Sequence, residues 1–267
     1  MNVLALSPSD LAIAALLILA LAALSRRLRI GVERPLLVSA ARSTVQLFLI
    51  GLVLKVLFES AQPLWVALLA AVMLVVAGRE VMVRQKRCFV GGWGFGVGTL
   101  SMFVSSFTVT LLALLLVIGT DPWYAPQYAI PLLGMVLGNT MNGISLGLDR
   151  LTQDAAQGRA VIEARLALGQ DWQRAISDSR REAMRVGMIP IINAMSAAGI
   201  VSLPGMMTGQ ILAGTPPVEA VKYQILVMFL IAGGTGFGTM VAVSLGARRL
   251  FDERQRLRLD RLHLPAN

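Results

Sequence analysis

The chain has 267 residues, of which 56% are hydrophobic and 15% are charged, and its mean hydropathy is +0.70. Soluble domains carry about 25% charged residues, so this composition excludes a water-soluble enzyme and predicts an integral membrane protein. The formal net charge is +9, and there is one cysteine, which excludes a disulfide framework.

Seven apolar segments are long enough to cross a bilayer, which takes about 20 residues. They run near 9–25, 36–57, 63–79, 94–119, 125–148, 187–212 and 219–247. The first segment is preceded by no basic residue and is followed at once by Arg26 and Arg27, which favours a retained span over a cleaved signal peptide. The predicted fold is an all-α polytopic membrane protein that forms a single domain over 1–267.

Basic residues predict the orientation of these segments. All Lys and Arg except Arg42, Lys55 and Lys222 lie in the connections after the first, third and fifth segments or after the seventh. These four regions share one side of the membrane, and the positive-inside rule places them in the cytoplasm, with the N-terminus outside. They include a large loop at 149–186 and a basic tail at 248–267. The positive charge therefore predicts contact with anionic lipid of the plasma (inner) membrane, and no nucleic acid.

Polar residues in the second and fifth segments are candidates for a substrate pathway. Arg42 and Gln46 lie one helical turn apart on the same face. Snorkelling of Arg42 to the near membrane surface is the alternative explanation. Asn139 and Asn142 also share a helix face, where hydrogen bonds between helices would be the alternative use of their amides.

The sixth segment contains a predicted helix break. Pro204 and Gly205 interrupt its apolar run, and a proline removes one backbone hydrogen bond from a helix. Broken helices in membranes often line transport paths. A kink that serves only packing is the alternative, so Pro204 and Gly205 join the pathway candidates.

The apolar segments lack ligands for several membrane-protein functions. None has an acidic residue at its centre, which disfavours a carrier driven by protons or sodium. The single histidine, His263, lies in the tail, which disfavours an intramembrane protease or a metal-dependent enzyme and assigns no metal ligands. The six methionines of the fifth and sixth segments fit core filling better than metal binding. Glycine pairs four residues apart, such as Gly143 with Gly147 and Gly234 with Gly238, predict close helix packing.

The 149–186 loop is predicted to form two helices joined by a tight turn. Gly169 suits the position after a helix C-terminus, and Asp171 suits the N-cap of the next helix. Trp172, Ile176 and Ala183 follow one stripe of that second helix, with charged residues opposite. An amphipathic helix lying on lipid is the alternative, but the balanced acidic and basic content favours a protein partner.

Residues 163–169, "EARLALG", resemble the E-A-A-x-x-x-G loop by which ABC-transporter permeases dock their ATPase subunits. Glu163, Ala164 and Gly169 match, whereas Arg165 replaces the second alanine. The motifs "RSTVQLFLIGLVLK", "GMVLGNTM", "AGIVSLPGMMTGQILAG" and "PVEAVKYQI" resemble the FetB family of iron-export ABC permeases, to which plant aluminium-tolerance half-transporter proteins are similar. This resemblance extends over 42–224.

The resemblance implies a permease subunit, not an enzyme, that works with a separate cytosolic ATPase of the FetA kind. The expected substrate is iron or a related metal species, and the expected assembly is a permease homodimer with two ATPases. Glu163, Ala164, Gly169 and Trp172 would dock the ATPase. ATP and Mg would bind the partner, since this chain has no P-loop sequence. The alternatives are an ATP-independent carrier, or a membrane receptor or scaffold whose loop binds a partner.

Overall fold

The computed structural model describes residues 7–60 and 62–263, and within them the backbone is helical apart from turns and isolated β-bridges. In chain order the helices are α1 (Pro8–Arg27), α2 (Glu33–Ser60), α3 (Pro63–Val83), α4 (Trp93–Ile118), α5 (Pro126–Gln157), α6 (Arg159–Ala167), α7 (Trp172–Ala175), α8 (Ser177–Ala197), α9 (Gly205–Leu212) and α10 (Pro217–Arg249). The all-α polytopic prediction is therefore confirmed.

Among the described residues, six helices are long and apolar enough to cross a membrane: α1 to α5 and α10. The predicted segment 187–212 differs, because it is not one helix. α8 enters it from the charged loop and ends at Ala197, and α9 begins only at Gly205. The break predicted at Pro204 is confirmed, since Pro204 is the extended N-cap residue of α9. The seven predicted spans are thus six continuous helices and one interrupted segment.

The centre of the bundle is formed by α5, α8 and α10, whose backbones approach closely at glycines. A Cβ atom added to Gly143 of α5 would lie 2.6 Å from the Thr235 methyl group of α10 and 2.9 Å from the carbonyl oxygen of Gly187 in α8. At Gly238 of α10, a Cβ would lie 2.6 Å from the Thr140 methyl group of α5. The close packing predicted from glycine spacing is confirmed at these positions.

The basic regions after α3, α5 and α10 meet at one end of the bundle. We call this end, formed by 79–92, 149–186 and 248–262, the basic end. The Lys86 amide donates to the Asp149 carboxylate at 2.8 Å, and the Val90 amide donates to the Arg261 carbonyl at 2.8 Å. These three regions, which the sequence places on one side of the membrane, therefore contact one another in the structure.

The basic end has a hydrophobic core of its own. Its buried side chains come from the connection after α3, from α5, from the loop and from the tail: Phe89, Leu151, Ile162, Ile176, Ala183, Leu250, Phe251 and Leu262. The described part of the predicted tail, up to His263, folds back onto this core, and 264–267 lie outside the described residues. The loop and the tail are consequently packed parts of the bundle.

α1 and α2 lie at the periphery. α2 has no buried residue within its apolar window, and large side chains such as Leu47 and Phe48 are 70% exposed. Apolar surface on this scale is stable only against lipid or against another chain.

Candidate functional site

A network of ion pairs links α2 to α3 near the basic end. The Arg42 guanidinium of α2 pairs with one carboxylate oxygen of Glu80 in α3. Arg84, the C-cap residue of α3, places its Nε 3.7 Å from the other oxygen of the same carboxylate. The side chains of Arg42 and Arg84 are 53% and 45% exposed. Glu80 is thus shared by two cations, and both arginine side chains keep exposed surface that can meet a further polar or anionic group.

Asn142 of α5 extends this ion-pair network, because Arg84 donates a hydrogen bond to the side-chain oxygen of Asn142. Two predicted pathway residues, Arg42 and Asn142, are therefore joined through two residues that the sequence analysis missed. The apolar segment ends at Arg79, but α3 continues as helix for another turn. Glu80 lies in that extension and Arg84 is the C-cap residue that follows it, and their spacing of four residues is the signal that could have found them.

Gln46 and Asn139 lie beside this ion-pair network, on helices α2 and α5. Gln46 is exposed on α2, one turn beyond Arg42. Asn139 is exposed on α5, one turn before Asn142, and its amide donates to the Met135 carbonyl of its own helix at 2.9 Å. We call the resulting surface the polar face: Arg42, Gln46, Glu80, Arg84, Asn139 and Asn142. Within a bilayer, such a face must be covered by protein or by water, because hydrocarbon cannot satisfy its polar groups.

Pro204 and Gly205 lie elsewhere. They begin α9, which packs against α10, and no hydrogen bond or ion pair among the described residues joins them to the polar face. Pro204 is half-buried, and Gly205 is exposed. The structure therefore unites Arg42 with Asn142 but keeps the helix break separate.

No metal site is evident in the part of the chain that the structure describes. Those residues contain no group of three or more His, Cys, Asp or Glu side chains that could hold a metal ion. The methionines behave mainly as core residues: Met207 is buried, and Met135, Met141 and Met206 pack against buried apolar clusters.

The second candidate site is the turn between α6 and α7. Gly169 has φ +86°, as predicted, and its amide donates to the Leu166 carbonyl at 2.9 Å. The Gln170 amide donates to the Arg165 carbonyl at 3.1 Å, which completes a Schellman C-cap. The Asp171 carboxylate accepts from the Arg174 amide at 2.8 Å, so the predicted N-cap is also confirmed.

The turn presents the predicted docking residues on its open side. Glu163 and Ala164 are exposed on α6, and the Glu163 carboxylate pairs with Arg159 at 2.8 Å. Gly169 is exposed, and a Cβ added there would meet no heavy atom within 4 Å. Glu163, Ala164 and Gly169 are therefore accessible at the surface of the turn.

Arg165 holds the two sides of the turn together. Its guanidinium pairs with the Asp178 carboxylate of α8 at 2.7 Å and donates to the Ala175 carbonyl at 3.3 Å. The hydrogen bond from Arg165 lowers the pKa of Asp178 below its ordinary value. The residue that departs from the E-A-A motif thus links α6 to α8, a role that the smaller alanine could not fill.

Trp172 connects the turn to the tail. Its side chain is half-buried, and its ring centroid lies 5.7 Å from that of Phe251. Its amide donates to the side-chain oxygen of Gln255 at 3.0 Å. Gln255 was not predicted, because a contact across 83 residues leaves no local signal in one sequence.

Comparisons with known proteins cover most of the chain. A profile described as "Uncharacterised protein family (UPF0014)" matches residues 8–251. The UPF0014 membrane protein slr1647 of Synechocystis is 41% identical over 83% of this chain and 85% of its own length. The probable iron export permease protein FetB of Escherichia coli is 30% identical over 93% of each. The rice UPF0014 membrane protein STAR2 is 32% identical over 87% of this chain and 80% of its own. No solved structure matches the chain significantly.

Proposed function

Because the chain belongs to the UPF0014 family of multi-pass membrane proteins, we propose that it is the permease subunit of an ATP-driven exporter of the ABC type in the plasma (inner) membrane. Its relatives include a protein named as a probable iron export permease. The chain itself would not hydrolyse ATP, and ATP and Mg would bind a separate cytosolic ATPase subunit of the FetA kind.

The exposed turn at Gly169 carries this proposal. A docking element must present a fixed surface to a partner and must be attached firmly to the membrane helices. The turn meets both needs: Glu163, Ala164 and Gly169 are exposed, while Ile162 and Ile176 behind them are buried in the core of the basic end. This geometry supports ATPase docking more directly than it supports a helix lying on lipid, for which the apolar face would have to remain free.

The orientation follows from the same proposal. A cytosolic ATPase can reach the turn only if the basic end faces the cytoplasm. The positive-inside rule favours the same orientation, with the N-terminus outside. The two arguments are independent, since one uses charge counts and the other uses the docking geometry.

The polar face supports a pathway between two copies of the chain. Two ATPase subunits act with twofold symmetry, which calls for two permease copies. A second copy placed against α2 and α5 would remove Gln46 and Asn139 from lipid and would enclose the ion pairs of Glu80. Closure of the ATPases would move the helices of each copy as rigid bodies and so open this path to alternate sides. Pro204 and Gly205 would allow the segment after α8 to bend during that change.

Iron or a related metal species is the proposed substrate. The exposed parts of Arg42 and Arg84 suit an anionic chelate of the metal better than a bare cation.

The direct test is to co-purify the permease with its ATPase, reconstitute the complex in vesicles, and measure ATP hydrolysis with and without added Fe²⁺ or Fe³⁺–citrate. We expect iron to stimulate hydrolysis. Failure of any ATPase to co-purify, together with solute transport that needs no ATP, would support a carrier instead.

A further inference from the structure

The tail beyond α10 forms an ordered turn at 252–258. The Asp252 carboxylate accepts from the amides of Arg254 and Arg256 at 3.0 and 2.9 Å. These backbone hydrogen bonds lower the pKa of Asp252 below its ordinary value, with that from Arg256 the largest cause. The Arg258 amide donates to the Leu250 carbonyl at 2.8 Å, which closes the turn. We call residues 252–258 the tail turn.

The tail turn is attached to the turn between α6 and α7, which with the flanking residues spans 163–172 and which we call the docking turn. Gln255, at its tip, has φ +59° and directs its side-chain oxygen at the amide of Trp172. Phe251, at its base, packs beside the Trp172 ring. A groove of about 840 Å³ lies between the two turns, with Glu163, Leu166, Gly169, Gln170 and Asp171 on one wall and residues 253–258 on the other. The proposed docking surface is therefore continuous with the tail turn.

Three of the six arginines of the tail are occupied by groups within the chain. Arg256 pairs with Asp252 at 2.8 Å, and Arg258 pairs with Asp260 at 2.7 Å. The Arg261 guanidinium donates to backbone carbonyls, one of them at 2.8 Å. Anionic lipid attracts free positive charge, and these arginines offer little of it. These three arginines are therefore less available to the membrane surface than the charge of the tail alone suggests.

Two charged side chains of the tail turn have no ion-pair partner among the described residues. Glu253 and Arg254 are exposed, and neither forms an ion pair with another described residue. Both residues line the groove, as do Glu163 and Asp171. A neighbouring acid and base with no internal partner suit a protein surface of mixed charge, where such groups set register and encounter rate.

We propose that the tail turn is the second wall of the ATPase-docking site, that Glu253 and Arg254 contact the ATPase, and that Gln255 is the residue that positions this wall. The inference rests on the proposed function, because its occupant is the cytosolic ATPase. It adds a docking element whose Gln255 lies 83 residues beyond Trp172, and one with no equivalent in the E-A-A-like motif.

The test exchanges the two open charges in the double variant Glu253→Lys/Arg254→Glu. The net charge of the chain is unchanged, and no described ion pair is lost. The matched control is Glu219→Lys/Lys222→Glu, which exchanges an ion pair of 2.8 Å at the first turns of α10, at the opposite end of that helix from the tail. We expect ATPase binding to the complex in detergent to weaken by about tenfold in the first variant and to be unchanged in the control.

Gln255 is tested by a pair of substitutions. Gln255→Gly keeps the positive φ but removes the acceptor for the Trp172 amide, and Gln255→Glu keeps an acceptor of the same reach. We expect ATPase binding to fall several-fold with glycine and to be restored with glutamate. Weak binding in both would contradict the positioning role.

The outcomes separate this inference from the proposed function. If Gly169→Leu abolishes ATPase binding while Glu253→Lys/Arg254→Glu retains it, the docking turn stands and the tail turn is not part of the site. If both variants bind the ATPase normally, the docking proposal itself is wrong. Loss in both, with normal amounts of each variant in the membrane, supports both proposals.

Discussion

Replacing Gly169 by leucine tests the docking turn through two effects that the structure separates. The first is internal. Gly169 has φ +86°, a region that costs a residue with a Cβ about 1 kcal/mol or more. No heavy atom lies within 4 Å of an added Cβ, so no steric clash adds to this cost. Because about 1 kcal/mol is small beside a typical stability of about 5–15 kcal/mol, we expect Gly169→Leu to fold and to insert in the membrane.

The second effect is on the partner. The leucine side chain would occupy surface beside Glu163 that an ATPase must approach. Gly169→Ala carries the same backbone strain with little added volume, and Gly169→Asn relieves much of the strain, since asparagine tolerates this conformation. We expect ATPase binding to be mildly reduced with alanine and lost with both leucine and asparagine, because the asparagine side chain has as many heavy atoms as leucine and occupies the same surface. Glu163→Lys should cause a smaller loss, because it reverses one charge at an exposed position.

The assay is recovery of the ATPase with the permease from detergent extracts, with the amount of permease in the membrane as the control. Normal recovery with both Gly169→Leu and Glu163→Lys would refute the reasoning from the turn to the function. Normal recovery with Gly169→Asn beside loss with Gly169→Leu would show that backbone strain, and not partner access, causes the loss.

The remaining predictions concern orientation, pathway and packing. In a Cys88→Ser background, Leu168→Cys, whose native side chain is 82% exposed, should react with an impermeant thiol reagent only after the cells are opened, and labelling of intact cells would reverse the orientation. Asn139→Leu should reduce transport while the complex with the ATPase remains assembled, and normal transport would remove this asparagine from the path. Glu80→Gln should leave two guanidinium groups without their shared carboxylate and reduce transport by about tenfold or more, whereas a transport rate equal to wild type would make the ion-pair network structural only. Gly143→Val should lower the free energy of unfolding by about 1–3 kcal/mol, because its Cβ would lie 2.6 Å from a methyl group of α10; an unchanged unfolding temperature in detergent would contradict the close packing.

Features that depend on neighbouring residues were predictable from the sequence. The Gly169 turn and the Asp171 cap each use atoms within a few residues, and the chemistry of both is specific to glycine and to short polar side chains. The helix break at Pro204 is equally local. Hydropathy located the spans because bilayer thickness fixes their length.

Features that depend on distant residues were not predictable. Glu80 meets Arg42 across 38 positions, and Gln255 meets Trp172 across 83. Each contact requires helices to pack before the side chains can meet, and a single sequence has no pattern that records this. The extent of α3 was misjudged for a different reason, since a charged residue ends an apolar run without ending the helix.

The contact between α5 and α8 at Gly143 and Gly187 has a mechanical consequence. Gly143 lies near the middle of α5, about 26 Å from Pro126 and about 21 Å from Gln157 at 1.5 Å per residue. No side chain separates the two backbones there, so we expect α5 to rotate as a rigid body about this contact. Because the two parts of α5 on either side of the contact have similar lengths, a displacement of α5 at Gln157 would move its other end by a similar distance in the opposite direction. A push applied on one side of the membrane would then open the bundle on the other.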